Sequence, residues 1–338
     1  MPGARFWKTR RVYKAESNLV GILMKAIVCT KYGPPEVLQL KEVKKPTPKN
    51  NEVLIKIYAT AVTASDCLIR RSDLPLIMSL GRRLTIGFTK PRKSVFGAVV
   101  AGDVEAVGKD VKLFREGDQA YGLTGLRMGA YAEYACMPEA ETMTGCLALK
   151  PVTMSYEEAA AVPYGAMLAF HFMSKGNIRS GQKVLIYGAS GAIGTTAVQL
   201  ARYFGAEITG VCSTANLELV KSLGADKVID YTREDSISSL ELYDFVFDAV
   251  GKRKSSKLKV QCKNALAQGG KYISVDGGMP RPRAEYLVRL KQIIEEGHFR
   301  AVIDRCYPLE QIAEAHKYVE KGHKKGNVVI TVGHSNKT

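Results

Sequence analysis

Gln182-Lys-Val-Leu-Ile-Tyr-Gly-Ala-Ser-Gly-Ala-Ile-Gly194 opens the stretch, running on to Asp230, whose reading decides the fold. Lys183 to Tyr187 is a short apolar run of the kind that makes a buried strand. Gly188 to Gly194 is a glycine-rich turn, and Thr195 to Phe204 carries apolar residues at helical spacing. A second strand follows at Glu207-Ile-Thr-Gly-Val-Cys212, then a helix from Leu217 to Leu223, Gly224-Ala225-Asp226, and a third strand at Val228-Ile229-Asp230. Strand, glycine turn, helix and strand in this order form the unit that holds a dinucleotide.

The turn needs small residues at set places. Gly188 and Gly191 let the backbone bend and approach a pyrophosphate, while Gly194 lets the helix lie close on its strand. Free amides at the helix start face the anion, which makes Ser190, Gly191, Ala192, Ile193 and Gly194 the expected pyrophosphate wrap. The spacing is G-x-x-G-x-x-G, so the glycines gain their weight from the strands and helix that follow. An NAD site places an acid at the end of the second strand, but here that strand ends in Cys212-Ser213-Thr214. Ser213, Thr214 and Asn216 offer hydroxyls and an amide to a 2′-phosphate, and so point to NADPH.

A chain of 338 residues suffices for two domains, and it contains no apolar run long enough to cross a bilayer. The formal net charge is +16. No helix-turn-helix, zinc-finger or RNA-binding signature accompanies that charge, so a polyanionic cofactor and solubility are the better account of it than nucleic acid. Seven cysteines without a C-x-x-C, and no convincing secretory signal, read as reduced thiols in the cytoplasm. Residues 1–23 set five basic side chains against the single acid Glu16. They read as an extension ahead of Met24, with a basic targeting peptide as the alternative.

From Met24 to Lys150 short strands alternate with Gly, Pro and Asn, as in Val53 to Ala59, Ala98 to Val107, Gln119 to Tyr121 and Tyr131 to Ala135. This predicts a β-rich, barrel-like domain. The basic stretch Arg70 to Lys93 breaks the pattern and reads as a loop over a site or as a surface insertion. From Ser155 the chain turns helical over Tyr156 to Met173. Alternating strands and helices then continue through Phe245 to Val250 and Lys271 to Val275, predicting a parallel sheet covered on both faces. A helix from Arg289 to Glu296, a strand at Ala301 to Asp304, a helix from Leu309 to Glu320 and a strand at Asn327 to Val332 make a tail expected to return to the first domain. The expected divisions are 1–23, 24–150, 151–290 and 291–338.

The chain resembles the medium-chain dehydrogenase/reductase superfamily, in its zinc-free quinone oxidoreductase branch that includes zeta-crystallin. The markers are Lys31-Tyr-Gly-Pro-Pro-Glu-Val37, Val62-Thr-Ala-Ser-Asp66, Ala101-Gly102 with Val107-Gly108, Phe114-Arg-Glu-Gly-Asp118, Gly129-Ala-Tyr-Ala-Glu133 and the region Ala159 to Gly194. The resemblance implies an α/β protein: a GroES-like β-rich catalytic domain, completed by the C-terminal segment, with a Rossmann doubly wound parallel-sheet domain between. It also implies a homodimer. Zinc-dependent relatives carry Cys at the place of Thr63 and Gly-His-Glu where this chain has Gly97-Ala98-Val99. All five histidines, 171, 298, 316, 323 and 334, lie outside residues 24–150, and the interval Gly122 to Gly129 has none of the cysteines of a structural zinc lobe. No metal is therefore expected.

Without a metal to stabilise an alkoxide, the chemistry left is hydride transfer from NADPH to an acceptor already activated by conjugation, a small hydrophobic quinone or α,β-unsaturated carbonyl. Tyr231 is expected near the adenine. Ala249-Val250-Gly251 and Ser274-Val275-Asp276-Gly277 end the next strands on the ligand side and should border ribose and nicotinamide. Asn327 lies in Lys325-Gly-Asn-Val-Val329, a further contact by resemblance. Asp66 and Tyr164 match family positions beside the nicotinamide and are the catalytic candidates, with helix capping and packing as their structural alternatives. Met167 or Leu168 replaces the family's threonine and Val99 an acid, which implies a more apolar pocket. The competing readings are a reductase of another carbonyl, a non-catalytic NADPH-binding protein of the zeta-crystallin sort, and a single-stranded nucleic-acid binder.

Overall fold

A computed structural model describes residues 22–71, 87–88, 90–253, 256–278 and 280–334. The readings for residues 1–21, and for most of the stretch between Arg70 and Lys93, lie outside them. The strands are β1 (Leu23–Cys29), β2 (Leu38–Lys44), β3 (Glu52–Val62), β4 (Val99–Val107), β5 (Gln119–Leu123), β6 (Tyr134–Pro138) and β7 (Cys146–Leu149). They continue with β8 (Lys183–Tyr187), β9 (Glu207–Cys212), β10 (Lys227–Asp230), β11 (Tyr243–Asp248), β12 (Leu266–Ser274), β13 (Ile303–Pro308) and β14 (Asn327–Thr331). The helices are α1 (Ala64–Arg70), α2 (Tyr156–Ala161), α3 (Pro163–Ser174), α4 (Ala192–Tyr203), α5 (Leu217–Ser222), α6 (Lys257–Asn264), α7 (Ala284–Glu295) and α8 (Ile312–Glu320).

β3 organises the first sheet. It pairs antiparallel with β4 along one edge and shares the other between β6, at Glu52 to Lys56, and β14, at Ala59 to Val62. The sheet runs β13-β14-β3-β4-β5-β7, so the C-terminal strands complete the β-rich domain that the first residues begin. β3 is buried nearly end to end, and its small residues Ala59, Ala61 and Val62 leave room for the layers above and below.

The second sheet has strand order β10-β9-β8-β11-β12, all parallel, with the reversal at β8 and β11. That is the doubly wound arrangement, in which ligands sit beyond the carboxyl ends of the strands where the order reverses. α3 and α4 pack against each other over this sheet. α2 instead packs on β3, β4 and β14, so the first helix after the β-rich domain still covers that domain.

Several elements depart from the sequence reading, each for a local reason. The helix expected from Tyr156 to Met173 is two, because Pro163 has no N–H for a helix bond back and starts α3 at its first position. α4 begins at Ala192, so Ala192, Ile193 and Gly194 form its first turn. β12 starts five residues early, at Leu266, through a bulge opposite Tyr243 and Phe245. α7 starts at Ala284, and β13 runs from Ile303 to Pro308. Among the described residues no helix is long and apolar enough to cross a membrane.

Candidate active site

The glycine turn builds the site from the backbone outward. Gly188 has φ +82°, open to glycine at no steric cost, and an added Cβ would lie 2.4 Å from Val250. A Cβ on Gly194 would stand 2.1 Å from the Gly188 carbonyl oxygen, so α4 can lie this close to its strand only as glycine. Gly191 differs: its added Cβ would meet nothing nearer than the Gly188 oxygen at 3.6 Å. There the backbone faces open space of the kind a pyrophosphate needs. The first helical bond is Thr195 N–H to the Gly191 oxygen at 2.8 Å, which leaves the amides of Ala192, Ile193 and Gly194 without a helical acceptor. These residues fit a dinucleotide.

The tail reaches the same turn. Gly326 N–H donates to the Ser190 oxygen at 2.8 Å, and Gly326 bridges Gly191 in parallel register. Asn327 therefore stands next to the turn, although its side-chain amide donates to the Val302 carbonyl at 3.2 Å. On the β9 side, Asn216 Nδ2 donates to Ser190 Oγ at 3.2 Å and to Ser213 Oγ at 3.1 Å, tying the turn to the end of β9. Its Oδ1 is buried and has no protein partner.

Thr214, at the end of β9, has protein partners of its own. Its hydroxyl bonds Asp230, at the end of β10, and lies 3.0 Å from Thr232 Oγ1. The absence of a carboxylate from the end of β9 is thus only part of the picture, because β10 supplies one. Burial pushes the Asp230 carboxyl up, but hydrogen bonds from Thr214 and Thr232, with Arg233 nearby, outweigh it and hold the group below the usual carboxylate range. Tyr231 follows, 40% exposed, with its N–H on the Cys212 oxygen at 3.0 Å.

On the β11 side, Ala249 N–H donates to the Tyr187 oxygen at 3.0 Å, and Val250 lies against Gly188. Gly251, at φ +68°, faces Asp276, which accepts from Lys252 N–H at 3.1 Å. Ser274 Oγ lies 3.0 Å from Asp276 Oδ2, Val275 packs on the main core, and Gly277 lies against Phe172 of α3. The two segments expected to border the nicotinamide are therefore neighbours.

The catalytic candidates separate. Asp66 is 1% exposed, and its Oδ2 accepts from Thr63 N–H at 2.9 Å and Thr63 Oγ1 at 2.6 Å. Thr63 caps α1 and Asp66 closes the capping box, so Asp66 is not itself the cap. Burial pushes its carboxyl up to about 6 despite the Thr63 hydrogen bonds. Held in this way, Asp66 seats α1 through Thr63. Tyr164 fares differently. Its hydroxyl is 2.6 Å from Ser65 Oγ, joining α3 to α1 across the two domains. Its neighbour Gly165 lies so close to α4 that a Cβ would stand 2.5 Å from the Ala192 oxygen. Ser65 lies inside the Val62-Thr-Ala-Ser-Asp66 motif, where nothing in the local sequence marks it as a partner of Tyr164. Val99, Met167 and Leu168 are core residues, 5% exposed at most.

Two of the histidines outside residues 24–150 nevertheless reach the first domain. The tail returns His316 and His334 to the first domain: His316 Nδ1 is 3.4 Å from Cys67 Sγ, and His334 Nε2 is 2.7 Å from the Ile57 oxygen. Yet Thr63 at the family's cysteine position is engaged with Asp66, and among the described residues no three His, Cys, Asp or Glu side chains gather as a metal site.

A GroES-like sheet, a doubly wound sheet and a glycine turn between them define a two-domain, dinucleotide-dependent oxidoreductase. Two family models match in keeping with this, the alcohol dehydrogenase GroES-like domain over residues 49–146 and the zinc-binding dehydrogenase over 192–305. A 2-methylene-furan-3-one reductase of Solanum lycopersicum is 35% identical over 327 residues, covering 91% of this chain and 79% of that protein. A chloroplastic NADPH-dependent alkenal/one oxidoreductase of Arabidopsis thaliana is 32% identical, with the same coverage. The structure of the quinone oxidoreductase from Coxiella burnetii superposes with TM-score 0.78 at 26% identity, covering 92% of this chain and all of its own. The chain belongs to the medium-chain dehydrogenase/reductase family and is an NAD(P)H-dependent oxidoreductase.

Proposed function

We propose that the protein reduces the conjugated double bond of an α,β-unsaturated carbonyl, or a quinone, with NADPH and without a metal. The observation that carries this reading is the Ser65–Tyr164 hydroxyl pair, which joins the domains beside the helix that abuts the glycine turn. When bound, NADPH supplies a hydride to the electrophilic carbon of the acceptor. Hydroxyl donors suit what remains, since the acceptor oxygen gains negative charge and Tyr164 and Ser65 can hydrogen-bond it while a proton from solvent completes the reduction. Ser190 to Gly194 hold the pyrophosphate, Ser213 and Asn216 the 2′-phosphate side, and Asn327 the edge near the tail.

NADPH is favoured over NADH because no acid ends β9 and because Asp230 is already engaged by Thr214 and Thr232. The names of the relatives, an alkenal/one oxidoreductase, a furanone reductase and a quinone oxidoreductase, support the acceptor class. A homodimer in the cytoplasm completes the reading. The test is oxidation of NADPH and of NADH by the purified chain with a panel of enones and quinones, before and after exhaustive chelation. Turnover with NADPH that survives chelation is expected. No turnover with any acceptor, alongside tight NADPH binding, would leave the non-catalytic reading in its place.

A further inference from the structure

We propose that Asp248 and Lys259 are positioning residues that lock the nicotinamide half of the coenzyme site into one surface, an inference that rests on the coenzyme reading above. Asp248 ends β11 and is 1% exposed. Its Oδ1 accepts from Val250 N–H and from Gly251 N–H, both at 3.0 Å. Its Oδ2 takes Lys259 Nζ at 2.8 Å, Tyr272 Oη at 2.9 Å and Ser274 Oγ at 3.3 Å. Lys259, on α6 with its side chain 12% exposed, also donates to the Gly251 carbonyl. One carboxylate thus gathers the loop after β11, two residues of β12 and one of α6.

A buried ion pair is a poor source of net stability, because desolvation of both charges offsets their attraction. Apolar residues of similar volume would fill the space as well. What they cannot do is fix the amides of Val250 and Gly251 and the Gly251 carbonyl in one orientation. Those backbone groups, with Ser274 and Asp276, stand at the carboxyl ends of β11 and β12, on one side of the point where strand order reverses. Ser213, Asn216 and Asp230 stand on the other side, at the ends of β9 and β10. The network therefore orders one half of the crevice and leaves the adenosine half to Asn216 and its partners.

That division gives the test. Calorimetric dissociation constants are measured for NADPH, for NADH and for the adenosine fragments 2′,5′-ADP and ADP, in the native protein and in Lys259→Met, Lys259→Arg and Tyr272→Phe. Lys259→Met is expected to weaken the better whole coenzyme about tenfold, a change of about 1.4 kcal/mol, while its matching fragment stays within about twofold. Lys259→Arg should recover part of the loss, and Tyr272→Phe, which removes one hydroxyl, should show a smaller loss of the same pattern. Equal weakening of coenzyme and fragment, or no weakening in either Lys259→Met or Tyr272→Phe, would overturn the proposal. A native protein that binds neither coenzyme would instead overturn the coenzyme reading and take this proposal with it.

Discussion

Tyr164 illustrates what a single hydroxyl decides. Tyr164 is 9% exposed and lies in the main core, so truncation to Phe keeps the packed ring and removes the hydroxyl that meets Ser65. Tyr164→Phe is expected to lower kcat about 10- to 100-fold with little change in KM for the dinucleotide, and Ser65→Ala to act in the same direction. Equal kcat in wild type and both variants would remove the pair from the chemistry. At this scale the sequence was legible where backbone sterics rule, as at Gly188 and Gly194, whose turn could be read from their spacing together with the strand and helix that flank it. It was not legible where a role depends on which partner arrives from elsewhere in the chain. The partner of Thr214 is of this kind, since Asp230 stands beside it, while Thr63 closes a capping box with Asp66.

At the scale of elements, α1 and α8 meet through a buried cluster that no local pattern announces. Arg70 is fully buried, donates Nε to His316 Nδ1 at 3.4 Å, and binds the Gly33 carbonyl and Glu320 with its remaining donors. Tyr131 meets the His316 ring edge-on at a centroid distance of 5.8 Å. Burial, with the Arg70 charge added, pushes the His316 imidazole down from 6.5 to about 3. The sign follows from linkage: the unfolded chain takes the proton first, so this contribution is whole above about pH 6.5 and drains away as pH falls toward 3. His316→Gln keeps an acceptor for Arg70 and removes the titration. Urea midpoints are expected to show it less stable than wild type at pH 7.5, with a smaller drop on going to pH 5. An unchanged drop would exclude His316 as its source. The strands β8 to β11 of the second sheet were readable to within a few residues because their apolar runs and glycine stops are local. β12 and α7 were misjudged because a bulge and a helix start depend on neighbours in space.

For the whole molecule, the contact between Gly326 and the glycine turn joins the last strand to the coenzyme site. Gly326 has φ +55°, and a Cβ there would stand 2.3 Å from the Val302 oxygen. Gly326→Ala is expected to lower stability by about 1 to 3 kcal/mol and, by shifting the N–H that meets Ser190, to weaken dinucleotide binding as well. Thermal melts and a coenzyme titration read the two effects separately, and a loss of stability with unaltered affinity would show that the tail does not bear on the turn. That the tail belongs with the first domain was foreseen, but its arrival at Ser190 was not, since nothing in Lys325-Gly-Asn-Val-Val329 names its neighbour.

β14 lies between β13 and β3, inside a sheet whose other strands up to β7 come from the first half of the chain. As a ribosome releases the nascent polypeptide from its N-terminus, the segment 183–274 holds every strand of its own sheet and can close as soon as it emerges. The edge of β3 from Ala59 to Val62 must wait, unpaired, for β14. The half that is synthesised first is the half completed last, and in that interval its open strand edge is a template for pairing with another chain.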